Sequence, residues 1–459
     1  MTKIAGIPLL YILIVLITTI VILAMALYVK KRGRRKVKPA MMKMGKFLII
    51  LLFLLVIYTT TVFTIYCQPV GVRYAVVYYG GLSSSVVDLI VNRGYKILIC
   101  AVDNVPQRLK NAGVKCFKYL DILGLPIDML DQVKNEHPEW ILYTAEGKPA
   151  TYWFGENFMC NLAVESFREY LVNKVKEYLK KDFDGVFLDD VVKDPRSLGP
   201  PLYDTPMYNE TMYGRWMDAL KALFSEIKEA GALIIYNAGW SEPDDELMEI
   251  ADGVLLESHP GSWSGTLSNP KYYYRDWSWI LAISTKAQTF AEKGKIVIAL
   301  SYGGDDNAAY YTYAATRLFD FYYWFATPDL VKIVDSPVLK LDIGDPIGSY
   351  NTVDGVFYRV YSKGVVVLNP YPNSKKVKLS VISAWTGLKD QHGNTYKVEN
   401  GEVEIEIAGR SGLLLTPAEV EEVFTSILVY MPAYLVLGIA VAVPLIIFLL
   451  VLRALRRAK

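Results

Sequence analysis

The sequence predicts an α/β protein: a TIM (β/α)8-type barrel followed by a small antiparallel β-domain, with three transmembrane helices added. Three observations carry this. From Arg73 onward, apolar runs of five to seven residues alternate with amphipathic stretches, the pattern of buried parallel strands joined by helices. After about Ser336 the texture changes to short alternating strands separated by Gly, Pro and Asn, as in antiparallel sheets. Three stretches without a charge, residues 4–29, 47–66 and 424–452, are each long enough to cross a hydrocarbon core, which takes about 20 residues.

Taken in order, residues 1–67 read as two transmembrane helices (about 4–29 and 47–66) joined by a basic cytoplasmic loop, 30–46. Residues 68–335 read as an extracellular barrel. Its strands are expected at Arg73–Tyr79, Tyr95–Ala101, Val114–Leu120, Gly185–Asp189, Leu233–Asn237, Gly253–Glu257 and Ile296–Tyr302, with an eighth, weaker one near Leu330–Val334. A doubly wound open sheet is the alternative. Between the strands, Val164–Lys181 places Val164, Phe167, Leu171, Val175 and Leu179 on one helical face, and Met212–Ala230 is a second such helix. Residues 336–417 read as a small β-sandwich-like domain with strands at Leu339–Ile343, Gly355–Tyr361, Gly364–Leu368, Lys376–Ile382 and Val403–Ile407. Residues 424–452 are the third span and 453–459 a basic cytoplasmic tail.

The formal net charge of +2 conceals a segregation. Residues 1–67 hold ten Lys and Arg and no acid, and residues 424–459 hold four and no acid. The middle, 68–423, therefore carries all 47 acids against the remaining 35 bases, a net of −12. By the positive-inside rule both basic clusters belong in the cytoplasm, which predicts a multi-pass cell-membrane protein whose main domain is extracellular. An acidic main domain argues against nucleic acid as a partner; the lipid bilayer is expected as one. Cys100 and Cys116 fall on neighbouring strands and either pair or stay buried as thiols, and Asn209-Glu210-Thr211 is a glycosylation sequon.

The most informative internal feature is a pair of matched hexapeptides. Asp184-Gly185-Val186-Phe187-Leu188-Asp189 and Asp252-Gly253-Val254-Leu255-Leu256-Glu257 share one form, and they lie 68 residues apart with Leu233–Asn237 between them. They would be strands four and six of the barrel. Equal spacing from the glycine gives Asp189 and Glu257 the same facing, at the strand ends where barrel sites are built. Two carboxylates across a cleft suit hydrolysis of a glycosidic bond, one as acid and the other as nucleophile or base. The competing reading is ion pairing or helix capping at the rim. Asp190 competes with Asp189 for the role, since a strand end can slip by one residue.

Loop aromatics supply a second signal, because rings with polar tips suit the apolar faces of sugars. Trp153 and Trp263 are the aromatic candidates for substrate binding, and Asn237, Ser301 and Tyr302 could hydrogen-bond sugar hydroxyls. The three histidines (His137, His259, His392) are scattered, so no metal site is expected, and no phosphate loop or Gly-x-Ser-x-Gly elbow calls for a cofactor or a serine nucleophile.

The hexapeptide Asp184–Asp189 resembles the strand-four signature of alpha-amylase-like and polygalactosaminidase-like barrels. The wider run resembles hypothetical glycosyl hydrolase family 15. The pieces are Pro138-Glu139-Trp140-Ile141-Leu142 with Glu146-Gly147-Lys148, Met159-Cys160-Asn161-Leu162, Phe183 to Asp190, Tyr236-Asn237, Gly253 to Glu257, Gly355-Val356-Phe357-Tyr358-Arg359, and Gly364-Val365-Val366-Val367-Leu368-Asn369-Pro370. They run in order across roughly residues 72–415. The resemblance implies a barrel plus β-domain with catalytic acids at Asp189 and Glu257. The expected function is a membrane-anchored, outward-facing glycoside hydrolase cleaving O-glycosidic bonds of an extracellular or envelope poly- or oligosaccharide. A silent carbohydrate-binding scaffold and a transglycosylase are the alternatives.

Overall fold

A strand buried on both faces has no reason to alternate, and the continuous apolar runs form the innermost layer of the protein. The computed structural model describes residues 73–152, 155–195 and 210–418. Eight parallel strands pair in sequence order: β1 (Ala75–Tyr78), β2 (Ile97–Cys100), β3 (Lys115–Asp121), β4 (Gly185–Asp189), β5 (Leu233–Asn237), β6 (Gly253–Glu257), β7 (Ile296–Tyr302) and β8 (Tyr322–Ala326). A parallel bridge between Tyr74 and Tyr323, with the Tyr323 N–H donating to the Arg73 carbonyl at 2.8 Å, brings the first and last strands together. That contact excludes the open doubly wound sheet.

The matched hexapeptides are two copies of one device. Asp184 accepts the Cys116 N–H at 2.8 Å and the Lys110 ammonium at 3.0 Å. Asp252 likewise accepts the Ile234 N–H at 2.8 Å and the Lys228 ammonium at 2.7 Å. Each aspartate thus ties the neighbouring strand and a neighbouring helix to the strand it opens. The glycine follows because the next strand is too close for a side chain: a Cβ on Gly185 would lie 2.0 Å from the Leu233 carbonyl oxygen. The three apolar residues then fill the core, with Val186, Leu188 and Val254 wholly buried, and the terminal acid emerges at the strand's C-terminal end.

Helices cover the outside. Glu165–Leu179 buries Phe167, Leu171, Val172 and Val175, and Glu210–Glu229 buries Leu220, Leu223, Phe224 and Ile227. The eighth strand is Tyr322–Ala326, not Leu330–Val334. Its aromatic run Tyr322-Tyr323-Trp324-Phe325 packs the barrel directly after helix Asp306–Leu318, while Leu330–Val334 forms the turns that follow. Leu339–Ile343 is likewise not a strand, since a 3-10 turn occupies Pro337–Lys340 with proline at its start.

Beyond it the chain forms one antiparallel sheet of eight strands: β9 (Asn351–Val353), β10 (Val356–Tyr361), β11 (Gly364–Asn369), β12 (Lys375–Ser380), β13 (Gly387–Lys389), β14 (Thr395–Glu399), β15 (Glu402–Ile407) and β16 (Ser411–Pro417). Its order is β9-β10-β11-β16-β13-β14-β15-β12, and β12 returns to touch β9 and β10, so the sheet curls into a barrel-like form. Its own core includes Val365, Val367, Leu379 and Leu415. The sheet meets the (β/α) barrel through helix Asp306–Leu318, where Gly412 of β16 lies so near that a Cβ would sit 2.4 Å from the Tyr310 carbonyl oxygen.

Three expectations need correction or limits. No helix among the described residues is long and apolar enough to cross a membrane. The longest, Glu210–Glu229, spans 20 residues but carries Arg215, Asp218, Lys221, Glu226 and Lys228 along its length, as an amphipathic surface helix does. Among the described residues the fold class is therefore a mixed α/β barrel plus an antiparallel domain, with no transmembrane helix. The expected multi-pass cell-membrane localisation, extracellular placement and lipid-bilayer partner therefore have no support in the described residues. The stretches 4–29, 47–66 and 424–452 themselves lie outside the described residues, as does Asn209. Finally, Cys100, Cys116 and Cys160 are free, buried thiols. Across β2 and β3, Cys116 sits opposite Leu98 and Cys100 opposite Lys118, an offset that keeps the first two apart.

Candidate active site

The last residue of β3, β4, β5 and β6 is in each case polar: Asp121, Asp189, Asn237 and Glu257. All four are half-buried, at the C-terminal mouth where the inward apolar packing stops. Asn237 organises the group. Its side-chain oxygen accepts the Gly239 N–H at 2.8 Å, which fixes the amide's orientation. The amide nitrogen then donates to Asp189 Oδ1 at 2.9 Å and to Glu257 Oε2 at 3.0 Å. Two acceptors on one nitrogen can be no farther apart than the two bonds together, just under 6 Å.

Each carboxylate has a second, tyrosine anchor. The Tyr119 hydroxyl donates to Asp189 Oδ2 at 2.9 Å, and the Tyr302 hydroxyl donates to Glu257 Oε1 at 3.0 Å. Burial, followed by the Asp189 charge, raises the pKa of Glu257 above the ordinary carboxylate range, against the hydrogen bonds from Asn237 and Tyr302 and the nearby Arg275 charge. Asp121 is a third acid, opposite Asp189 in the β3–β4 register. It accepts the Tyr152 hydroxyl in a short hydrogen bond and the Leu123 N–H at 2.9 Å. Burial pushes its pKa up to about 7, with the Asp189 charge adding to the effect.

The expected site residues separate clearly. Asp189, Asn237, Glu257 and Tyr302 form one hydrogen-bonded chain. Tyr302 thus holds a carboxylate. Asp190 follows in the left-handed region at φ 53°, which turns the chain out of β4, and its charge is felt at Tyr79 and Tyr119 together with that of Asp189. Trp263 stands on the hairpin Gly261–Thr266/Asn269–Tyr274, edge-on to Tyr302 at 6.4 Å between ring centres. Ser301 is fully buried, and its hydroxyl is spent on the His259 carbonyl, which leaves it unable to meet a sugar. Trp153 lies outside the described residues. Sequence reasoning missed Asp121, Tyr119 and Tyr79. Asp121 had a readable signal, an apolar run ending in an acid, but Lys118 interrupts that run. No group of three or more His, Cys, Asp or Glu among the described residues could hold a metal ion.

Paired carboxylates at the mouth of a (β/α) barrel define the class of a glycoside hydrolase. The chain belongs to hypothetical glycosyl hydrolase family 15, which it matches over residues 126–365. No relative among the curated proteins matches it. Among solved structures it is similar to the glycoside hydrolase domain of PelA from Pseudomonas aeruginosa, at 18% identity over 56% of this chain and 96% of that one, with a TM-score of 0.42. It is also similar to a noncanonic maltogenic alpha-amylase, AmyB, from Thermotoga neapolitana, at 12% identity over 75% and 98% of the two chains, TM-score 0.44. A third is Aspergillus fumigatus Ega3 in complex with galactosamine, at 13% identity over 57% and 94%, TM-score 0.38.

Proposed function

We propose that the protein hydrolyses O-glycosidic bonds of a polysaccharide by a two-carboxylate mechanism with retention of anomeric configuration. The observation that carries this reading is the shared amide of Asn237, which holds Asp189 and Glu257 at a spacing suited to retention. Retaining enzymes keep their carboxyl groups about 5–5.5 Å apart, whereas inverting enzymes need about 6.5–9.5 Å to admit a water molecule.

The roles follow from the surroundings. Glu257, with its raised pKa, carries the proton and gives it to the departing glycosidic oxygen. Asp189, held by Tyr119 and Asn237, attacks the anomeric carbon as the C–O bond breaks, forming a glycosyl ester. Glu257, now a carboxylate, takes a proton from water, whose oxygen attacks the same carbon and releases Asp189. Tyr119 and Tyr302 position the two acids throughout. Asp121, neutral for much of the pH range below its pKa, limits the negative charge beside Asp189. The concentration of Asp121, Asp189, Asp190 and Glu257 at one mouth favours a neutral or basic polymer over a polyanion.

The stereochemistry is the direct check. Proton NMR of the first products released from a cleavable polysaccharide is expected to show the substrate's own anomer before mutarotation. Release of the opposite anomer would rule out a covalent intermediate at Asp189.

A further inference from the structure

Next to Glu257 lies a cation to which no role has yet been given. Arg275 follows the hairpin that extends from β6, and its backbone N–H donates to the Pro260 carbonyl at 3.0 Å. Its guanidinium is clamped between two indoles, 4.4 Å from the centre of Trp240 and 5.1 Å from that of Trp279. Trp240 is three residues beyond Asn237, in the loop whose Gly239 carbonyl accepts the Glu257 N–H at 3.1 Å. The clamp therefore stands on the catalytic face, beside the acid. Burial of the guanidinium and its effect on Glu257 agree with that placement.

Among the described residues the Arg275 side chain makes no hydrogen bond or ion pair, and its Nε is buried without a partner. Stacking between rings fixes a guanidinium's plane and leaves its in-plane N–H groups free. The outer N–H groups are therefore open to an acceptor on a bound ligand, which gains a hydrogen bond there. Trp240, 61% exposed, adds an apolar wall beside those donors.

Resting on the hydrolase reading, we infer that Arg275, Trp240 and Trp279 form a subsite for the acyl group of an acetylated sugar, the guanidinium donating to the carbonyl oxygen and the Trp240 indole covering the methyl. A sugar carboxylate would also satisfy the guanidinium, but it would bring a further negative charge to a mouth that already holds the Asp189 carboxylate, where like charges repel. A neutral carbonyl carries no such cost. N-acetyl and O-acetyl groups offer the same chemistry.

The test uses the full chain and a panel of amino-sugar polysaccharides, each untreated, after mild alkaline O-deacetylation, after full de-N-acetylation, and after re-N-acetylation, with a polyuronate as comparison. Affinity and initial hydrolysis rate are measured for the wild type, Arg275→Met, Arg275→Lys and the surface variant Trp240→Ala, with melting temperature as the folding control. The wild type is expected to favour the acetylated form by about tenfold or more, the scale on which an unpaired buried donor discriminates. Arg275→Met and Trp240→Ala should lose that preference through KM, Trp240→Ala with the pH profile unmoved and Arg275→Met with the alkaline limb moved upward as Glu257 loses a nearby positive charge. Arg275→Lys should restore little of the preference. Loss on N- rather than O-deacetylation, or the reverse, identifies the acyl group. Equal loss on every polymer, acetylated or not, in Arg275→Met would overturn the subsite and make Arg275 a positioning residue for Glu257. Preference for the polyuronate would overturn it in favour of a carboxylate. Hydrolysis indifferent to acetylation would sink the subsite and leave the hydrolase; acetyl-dependent binding without hydrolysis would do the opposite; no binding to any form contradicts both.

Discussion

Replacing Glu257 with Gln is expected to lower the turnover of a cleavable polysaccharide by about 10³-fold, and Asp189→Asn by at least as much, the scale on which positioned acids and nucleophiles act. Both substitutions keep one acceptor oxygen for the Asn237 amide and turn an NH2 toward Tyr302 or Tyr119, whose hydroxyl can accept it, so the geometry should persist. The sign of the stability effect is informative. Glu257 has a raised pKa in the folded protein, so the fold favours its neutral form. That contribution is complete below the unfolded pKa and is lost as pH rises through the folded one. At neutral pH, Glu257→Gln should therefore be at least as stable as the wild type while being nearly inactive, a pairing characteristic of sites that trade stability for function. The alkaline limb of the wild type's kcat/KM profile, which reports the acid's ionisation, should vanish from the residual activity of this variant. Full activity in either variant would remove its residue from the mechanism.

The second large effect lies far from the mouth, where the two barrels meet. Arg317 is 2% exposed. Its guanidinium pairs with Asp320 at 2.9 Å and lies over the Tyr361 ring at 5.1 Å, while the Tyr361 hydroxyl donates to the Arg317 carbonyl. Arg359 of β10 donates to the Leu318 carbonyl at 2.9 Å. Only Arg73, at 3.1 Å from Asp320, would remain to balance that carboxylate if Arg317 were removed. Breaking a buried pair from one side costs about 3–5 kcal/mol, because it strands a charge. Arg317→Met should therefore shift the urea midpoint strongly downward. Adding Asp320→Asn, which suits the left-handed backbone at φ 61°, should recover part of the loss. An Arg317→Met protein as stable as the wild type would show that β10 and helix Asp306–Leu318 are held by apolar packing alone.

What could be read in the sequence was whatever depends on local pattern. Four of the barrel strands, Gly185–Asp189, Leu233–Asn237, Gly253–Glu257 and Ile296–Tyr302, have the boundaries that the apolar runs suggest. The matched hexapeptides owe their form to two local demands, a glycine where strands crowd and an acid where the core ends. The eighth strand escaped because Tyr322–Ala326 follows its helix with almost no turn residues to announce it. Short strands such as β13 and β14 are too brief to show a period. Asp121 and Asn237 needed three dimensions: nothing in the spacing says that one amide would reach both carboxylates. The Arg275 clamp joins residues from two segments far apart in the chain, so sequence alone had no means of finding it. The uncharged stretches, read as spans, lie outside the described residues, and no helix within those residues is long and apolar enough to cross a membrane.

The central claim is that Asp189 forms a covalent bond to the sugar while Glu257 moves the proton. Slowing deglycosylation makes the intermediate visible. Glu257→Gln should be incubated with an activated glycoside of the sugar that the wild type cleaves, then quenched in acid, digested, and its peptides weighed by mass spectrometry. A fluoride or dinitrophenolate leaving group departs without protonation, so that only deglycosylation is slowed. The expected result is a glycosyl adduct on the peptide containing Asp189, absent from Asp189→Asn. An adduct on Asp121 or Asp190, or turnover with no adduct at any residue, would contradict it.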